Sequence, residues 1–297
     1  MTTYAVNPEA VGVVSGPVRR RWNSDDALLY AVGVGCDPEN GLAFATENCA
    51  GIEQQTLPTF AIVLSSPLPM FDGKPMLPLW ESLGEISWRD VVHGEQEIEL
   101  FSPLPVEGEV ESVTRVSAIW DKGSGAVVEL ETTSVDVATG SPAFRACSSI
   151  FVRGAGGWGG QRGPRADAPL WPDRAPDHVT EMRTSENQAL IYRLSGDRNP
   201  LHCDPALARA AGFPRPILHG LCTFGFTARA LIERECGNES SRFSRMSGRF
   251  SAPVLPGEPL TVQMWSSGDG VLFRTLRGDG QVVLDRGEFV ARQSPSR

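Results

Sequence analysis

The sequence YRLSGDRNPLH, residues 192–202, decides how this chain is interpreted. Gly196 permits backbone angles that a Cβ atom would forbid, and Pro200 fixes φ and ends any helix that precedes it. The stretch therefore predicts a short rigid turn, with Asp197 leaving a helical segment and His202 following the turn. A carboxylate and an imidazole on opposite sides of such a turn can converge on one water molecule as a general acid–base pair. Asp and Asn beside Gly and Pro are also ordinary turn formers, so the spacing alone leaves a structural role open.

The composition and the charge of the chain exclude several classes of function. Its 297 residues suffice for one large domain or two of about 150 residues, and 41% apolar with 21% charged residues is typical of globular proteins. The net charge of −9 argues against nucleic acid or an anionic membrane surface as the main partner. No apolar run is long enough to span a bilayer, and the N-terminus lacks the order of a signal peptide, so we expect a cytoplasmic protein.

The cysteines and histidines show no disulfide or metal-binding pattern. The six cysteines are scattered without a C-x-x-C pair, so we expect reduced thiols. The four histidines form no H-x-x-x-H or comparable spacing, so we expect no metal site.

The chain contains the same unit twice. Residues 154–174 are rich in Gly, Pro and Arg without an apolar period, which predicts a linker between an N-terminal unit, 1–153, and a C-terminal unit, 175–297. Three segments of the first unit match segments of the second in the same order: 27–35 matches 189–197, 57–63 matches 218–224, and 99–109 matches 248–258. We therefore interpret the chain as an internal duplication.

Each unit begins with short apolar helical segments and continues into strands. The apolar segments at 57–65 and 219–235 are each predicted to form a helix. The strand segments alternate or are β-branched between Gly and Pro, at 95–101, 109–120, 126–137, 143–152, 245–252, 258–266, 270–277 and 281–292. A helix followed by an antiparallel run of strands predicts an α+β fold in which the sheet wraps around the helix.

The two copies differ at the turn. The second unit has Asp197, Asn199 and His202 where the first has Gly35, Asp37 and Asn40. Only one copy carries the acid–base pair, which leaves the first copy free to act as a binding surface.

Residues 192–202 resemble the signature of the MaoC-like, hydratase 2 family, an aromatic residue followed by Ser-Gly-Asp-x-Asn-Pro-Leu-His. The likeness continues into PILHGLCTFGF at 216–226, and YAVGVG (30–35), LPTF (57–60) and HGEQEIEL (93–100) resemble the N-terminal half of its double hot-dog members. The resemblance implies an α+β double hot-dog fold, two tandem units each with a long helix wrapped by an antiparallel sheet. It also implies (R)-specific hydration of trans-2-enoyl-CoA to (R)-3-hydroxyacyl-CoA, reversible as dehydration, in fatty acyl or sterol side-chain metabolism. Coenzyme A is then part of the substrate, and no separate cofactor is expected.

The resemblance also implies roles for individual residues. Asp197 would be the base toward water, His202 its partner in the proton transfers, and Asn199 a residue that helps to hold the site. Glu47 occupies the position of an acidic residue that family members bring from the N-terminal half. Tyr192 is the aromatic residue of the signature and belongs to the expected substrate-binding set.

The start of the long second-unit helix is the expected place for the thioester. Water adds to C3 only if the thioester oxygen accepts charge, and a helix N-terminus offers unpaired N–H groups there. Gly220 is thus a candidate oxyanion donor, with close helix packing as the equal alternative, and His219 is a candidate for shaping the pocket. The candidates for the coenzyme A phosphates are Arg198, Arg209 and Arg215.

Other functions stay open at this point. A dehydratase that acts on acyl carrier protein thioesters would use the same chemistry, although a basic surface patch would be expected for it. A non-catalytic acyl-CoA-binding subunit and a thioesterase share the fold. The resemblance alone also makes a homodimer plausible.

Overall fold

The computed structural model describes residues 6–39, 41–66, 78–86, 90–164, 171–268 and 270–293. The first unit contains β1 (Val18–Trp22), α1 (Ser24–Gly33), α2 (Leu42–Ala45), α3 (Phe60–Ser65), α4 (Pro78–Ser82), β2 (Val91–Leu100), β3 (Gly108–Asp121), β4 (Gly125–Asp136) and β5 (Pro142–Arg153). The second contains β6 (His178–Arg183), α5 (Gln188–Tyr192), α6 (Pro205–Ala210), α7 (Gly220–Cys236), β7 (Phe243–Phe250), β8 (Pro259–Ser267), β9 (Gly270–Arg277) and β10 (Val282–Ala291). All eight predicted strands are confirmed, as β2–β5 and β7–β10.

The ten described strands form one antiparallel sheet in the order β1-β3-β4-β5-β2-β7-β10-β9-β8-β6. The two units meet where β2 pairs with β7, with Glu97 opposite Ser247. On the outer face of this junction the Glu97 carboxylate accepts from Arg145 at 3.2 Å and from Arg245 at 3.1 Å, so charged side chains also cross it. The strands β1 and β6, which were not predicted, lie at the two edges of the sheet.

The central helices of the two units differ in length. The helix α7 has 17 residues and is buried along most of its circumference, whereas α3 has only six residues. The first-unit helix is therefore shorter than the long helix expected in each unit. It stops because Pro67 follows Ser66, and the residue before a proline is disfavoured in a helix. The guanidinium of Arg20 then donates to the terminal carbonyls of Val63 at 3.5 Å and Ser66 at 3.2 Å.

The apolar core separates into two clusters. The larger contains α1, α3, α7 and the inner face of the second-unit sheet, and the smaller lies under α4 against β3–β5. Between them, the inner face of the first-unit sheet carries buried hydroxyl groups. Ser112 and Ser134 share a hydrogen bond of 2.7 Å, and Thr114 and Thr132 share one of 2.9 Å. Part of the first-unit interior is therefore polar.

The described part of the predicted linker is anchored to the sheet. The Asp121 carboxylate, at the end of β3, accepts from the backbone N–H groups of Gly157 and Gly159, both at 2.8 Å, and of Gly123 at 2.7 Å. These hydrogen bonds, led by the one from Gly157, lower the pKa of Asp121. The segment just after β5 is thus a fixed loop, and the division of the chain into domains stays a prediction. Among the described helices, none has the length and apolar character needed to cross a membrane.

Candidate active site

The turn after α5 has the geometry that its sequence predicts. A short 3₁₀ turn, Arg193–Ser195, leads into Gly196 at φ 146, a backbone conformation that side chains with a Cβ rarely adopt. The N–H of Asn199 donates to the Asp197 carboxylate at 3.0 Å, and the Asn199 side chain accepts from the N–H of Leu201 at 3.0 Å. Asn199 therefore holds the shape of the turn, because its side-chain oxygen caps the following 3₁₀ turn.

Asp197, His202 and His219 form one cluster. One polar side-chain atom of each lies within 4.8 Å of the others. Both histidines are buried, and their rings stack with centroids 3.7 Å apart and an interplanar angle of 29°. His202 reaches this place through the 3₁₀ turn Pro200–His202, whereas His219 immediately precedes α7. The predicted acid–base pair is therefore brought together, with a second imidazole beside it.

Backbone carbonyls determine which ring nitrogens carry protons. His202 Nδ1 lies 2.9 Å from the carbonyl oxygen of Ile217, and His219 Nε2 lies 3.1 Å from that of Asp197. A carbonyl oxygen only accepts, so both of these nitrogens donate. In the neutral ring, His202 Nε2 then keeps a lone pair that can take a proton. Burial lowers the pKa of His202, against a smaller raising effect of Asp197, and it lowers that of His219 further, since His202 adds to the effect.

Tyr192 supports this arrangement from behind. Its ring lies 4.9 Å from that of His219 and 6.2 Å from that of Tyr30 in the first unit, centroid to centroid. Tyr192 is buried, and burial raises the pKa of its hydroxyl well above the ordinary value. Tyr192 thus packs at a tilt of 53° against His219, which in turn stacks on His202, and these contacts support the imidazoles.

The N-terminus of α7 lies at the same place. Gly220 is its first residue, and its N–H has no acceptor among the described residues. A Cβ atom at Gly220 would lie 3.2 Å from the ring of Phe250, so the position is close-packed on one side. Gly220 therefore combines the two properties expected as alternatives: an N–H group available as a donor, and close packing against a neighbouring side chain.

Comparison with known proteins identifies the family. The MFE-2 hydratase 2 N-terminal domain matches residues 21–154, and the MaoC like domain matches residues 168–286. The 3-hydroxyacyl-thioester dehydratase Y of Mycobacterium tuberculosis is 44% identical, over 97% of this chain and 99% of its own. This chain belongs to the MaoC-like, hydratase 2 family. The probable enoyl-CoA hydratase 2 of Dictyostelium discoideum is 37% identical over 91% of each chain. A solved structure, the MaoC-like dehydratase of Phytophthora capsici, superposes with a TM-score of 0.84 at 33% identity, over 97% of this chain and 99% of that one.

The fold of this MaoC-like protein is the double hot-dog, as the resemblance implies. Not every residue expected at its site lies in the cluster. Glu47 is exposed in the segment after α2 and is not a member of the group formed by Asp197 and the two histidines. The expected role of Glu47 therefore stays a prediction.

The arginines expected to meet phosphates differ in availability. Arg215 is exposed but engaged, since it donates to the Glu186 carboxylate at 3.1 Å and to the carbonyl oxygen of Pro256 at 2.8 Å. Arg209 lies in the last turn of α6. Arg198 is exposed directly beside Asp197 and has no partner among the described residues. Of the three, Arg198 is the one adjacent in sequence to Asp197.

The corresponding place in the first unit is blocked. Gly35 has φ 81, and a Cβ atom there would overlap the ring of Phe226. Arg229 of α7 donates to the carbonyl oxygens of Val34, at 3.1 Å, and Gly35. Beside these residues lies a cleft of about 310 Å³. No motif in the sequence points to Phe226 and Arg229, although Gly35 is a signal for a close approach of another part of the chain. Asn40, the counterpart of His202, lies outside the described residues.

A chelator should leave the activity of this MaoC-like protein unchanged. The cluster has three groups that metal ions bind, but its two imidazoles stack face to face, with ring centroids 3.7 Å apart and planes inclined by 29°. A ring nitrogen binds a metal ion in the plane of its ring at about 2.0–2.1 Å, so these two rings cannot both face one ion. The measurement is turnover before and after dialysis against EDTA, with metal added back. Loss of activity that zinc restores would contradict the expectation.

Acid should destabilise the protein between pH 6.5 and 4. Burial is the main cause of the lowered pKa of His202 and His219, and it lowers the pKa of His93 to about 4. In the unfolded chain each titrates near 6.5, so below that pH the unfolded chain binds more protons than the folded one. The stability due to these neutral rings is complete above pH 6.5 and is lost as the pH falls. For His93 the loss by pH 5 is about 2 kcal/mol.

The measurement is the urea midpoint at pH 7.5 and at pH 5. His93→Gln should show a smaller difference between the two than the wild type, because glutamine carries no titrating ring. His178→Gln, at an exposed position on the edge strand β6, serves as the control and should behave like the wild type. An undiminished pH effect in His93→Gln would exclude His93 as its source.

Proposed function

We propose that this MaoC-like protein is a hydro-lyase that adds water to trans-2-enoyl-CoA, giving (R)-3-hydroxyacyl-CoA, and catalyses the reverse dehydration. The reaction would serve fatty acyl or sterol side-chain metabolism. The observation that carries the proposal is the convergence of Asp197 and the free Nε2 of His202 beside the N-terminus of α7. A proton-transfer pair and an electrophilic helix end are the two things that conjugate addition of water needs.

The groups present account for each bond that changes. Asp197 and His202 hold a water molecule, and one of them takes its proton as the oxygen bonds to C3. The C2=C3 electrons shift toward the thioester carbonyl, whose oxygen gains charge next to the N–H of Gly220 and the positive end of the helix. The proton is returned to C2, so the pair ends in its starting state. Because these groups are coupled, the two proton transfers belong to the pair as a whole.

The two units differ beside their turns. Phe226 and Arg229 of α7 lie against Gly35 of the first-unit turn, and the internal repeat places Ser65, a smaller residue and the last of α3, at the position that Phe226 holds. In this proposal the first unit binds the acyl chain, because its turn lacks the acid–base pair, and Arg198 is the candidate for the coenzyme A phosphates.

The experiment is the loss of enoyl-thioester absorbance with trans-2-enoyl-CoAs of several lengths. Coupling to an (R)-specific 3-hydroxyacyl-CoA dehydrogenase reads the stereochemistry of the product. We expect hydration with an (R) product. No turnover at any length by folded protein would overturn the proposal and favour a non-catalytic acyl-CoA-binding subunit.

A dehydratase of acyl carrier protein thioesters is the second candidate. One relative is named a 3-hydroxyacyl-thioester dehydratase, a name that leaves the carrier open. The same assay with matched acyl groups on coenzyme A and on the carrier protein distinguishes the two. The acidic net charge of −9 favours coenzyme A, because carrier proteins usually dock on basic patches.

The compartment, the cofactor requirement and the assembly are also part of the proposal. All six cysteines are free thiols, which agrees with a reducing compartment, and we assign the cytoplasm. No cofactor is required beyond the coenzyme A of the substrate. The homodimer is proposed from the family resemblance alone, because the exposed charged residues of the edge strands β1 and β6 do not favour pairing between sheets. Sedimentation equilibrium should give twice the 32.1 kDa chain mass, and a monomer at micromolar concentration would contradict it.

A further inference from the structure

A small cavity lies inside the first unit, directly behind the start of α7. It is lined by residues of α3, of the strands β2, β4 and β5, and by Leu221, and its volume of about 20 Å³ holds roughly one water molecule. Six of its ten lining residues have polar side chains without formal charge: Ser65, Ser66, His93, Gln96, Thr132 and Ser148. A cavity that binds only a hydrocarbon chain is expected to have an apolar lining, so this lining indicates a polar occupant.

The cavity shares its wall with the candidate active site. Leu221 follows Gly220, the first residue of α7. On the other side, the ring of His93 lies 4.8 Å from the ring of Phe250, centroid to centroid, and Phe250 flanks Gly220. An acyl chain that passes the N-terminus of α7 into the first unit therefore reaches this cavity.

Most of the polar lining is already engaged. Thr132 is hydrogen-bonded to Thr114 at 2.9 Å, Ser65 donates to the carbonyl oxygen of Ile62 at 3.3 Å, and the Gln96 amide donates to two carbonyls. The hydroxyl of Ser148 differs, because it has no hydrogen-bond partner among the described residues. Ser148 lies on the inner face of β5, between Ala146 and Ile150, which also line the cavity.

The lining also indicates the charge of the occupant. None of the described lining residues is acidic or basic apart from His93, and burial lowers the pKa of His93 to about 4, so its ring is neutral at neutral pH. A carboxylate or an ammonium group would enter without a counter-charge, which is strongly unfavourable. A neutral oxygen can donate to or accept from a serine hydroxyl without that penalty.

We propose that this cavity receives an uncharged oxygen substituent of the acyl chain, a hydroxyl or keto group, and that Ser148 recognises it. The inference rests on the proposed hydratase function and specifies its substrate class as enoyl thioesters with an oxygenated chain. An unsubstituted chain leaves the Ser148 hydroxyl without a partner from the substrate, so binding of the oxygenated chain gains one hydrogen bond.

The test compares unsubstituted trans-2-enoyl-CoAs with esters of equal length that carry a hydroxyl or keto group at successive carbons. For the wild type we expect kcat/KM to be about 10-fold higher for the substituent at one position, the effect of one neutral hydrogen bond to the half-buried Ser148. Ser148→Ala should bring this ratio to about one. Ser149→Ala is the matched control, because neighbouring strand residues point to opposite faces, and it should keep the wild-type ratio.

The outcomes separate the two proposals. Hydration of plain and oxygenated esters with equal kcat/KM at every position overturns the inference and leaves the hydratase function in place. A preference that Ser148→Ala retains also overturns it, because Ser148 is then not the recognising group. Hydration of none of the esters overturns the proposed function, and the inference with it.

Discussion

Asp197→Asn should lower kcat/KM for enoyl-CoA hydration by about 10³-fold, within the range for loss of a general acid–base group. The asparagine side chain has nearly the same shape and can still accept from the N–H of Asn199, which donates to the Asp197 carboxylate at 3.0 Å. The turn should therefore persist while the proton acceptor is lost. The measurement is the absorbance assay together with thermal unfolding, where we expect only a small change in Tm.

Asp204→Asn is the control for this variant. Asp204 lies seven positions along the chain and caps α6 by accepting from the N–H of Ala206 at 2.7 Å and of Leu207 at 3.2 Å. Asparagine is an equally good N-cap, so both stability and activity should stay close to wild type. Retention of more than a tenth of the activity in Asp197→Asn would mean that another group activates the water.

Gly35→Asp combined with Asn40→His should not create a second active site, and it should destabilise the fold by about 3 kcal/mol. The first-unit turn would then carry the acid–base residue types of the second, with Asp37 in the place of Asn199. However, the aspartate introduced in place of Gly35 would have to share space with Phe226, and the backbone there has φ 81. Strain at positive φ costs about 1–2 kcal/mol and overpacking about 1–3 kcal/mol. The measurements are urea unfolding and hydration in an Asp197→Asn background.

A pair of alanine variants separates the two causes. Gly12 also has a positive φ, 90, but a Cβ atom there would have no neighbour within 4 Å. Gly12→Ala should therefore be destabilised only by backbone strain. Gly35→Ala should be destabilised by the same strain and also by the overlap of its Cβ atom with the ring of Phe226. Equal destabilisation by both variants would show that the Phe226 ring can move aside at little cost in free energy. Measurable hydration by the double variant would contradict the assignment of the first unit to binding.

The sequence predicted the inner strands of the sheet and missed its edges. Strands β2–β5 and β7–β10 are paired on both sides or packed on the core, so their apolar residues alternate strongly. The segments VRRRW of β1 and HVTEMR of β6 carry charged residues on exposed positions. Such residues are typical of edge strands, where they discourage pairing with other chains, and they remove the alternation on which the prediction depends.

Part of the site was equally predictable, and the rest depends on tertiary packing. Asp197 and His202 lie close together because a local turn joins them. Their proximity could therefore be predicted from a separation of five positions in the sequence. The contact of His219 with the Asp197 carbonyl spans 22 positions, and that of Arg229 with the Gly35 carbonyl spans 194. Such contacts exist only once α7 lies against both turns. The anchoring of the glycine-rich loop by Asp121 is of the same kind, because it joins the end of β3 to a segment after β5.

In a symmetric pair of identical units, each substitution acts on both copies at once. Shortening the central helix to admit a larger ligand would then remove buried apolar surface twice and weaken both cores. In this chain the six-residue α3 and the 17-residue α7 belong to different halves. The half that contains Asp197 and His202 keeps its full helix, and the shorter helix is confined to the other half. Under the proposed function, covalent fusion thereby lets the half proposed to bind the acyl chain diversify while the folding stability beneath Asp197 and His202 is conserved.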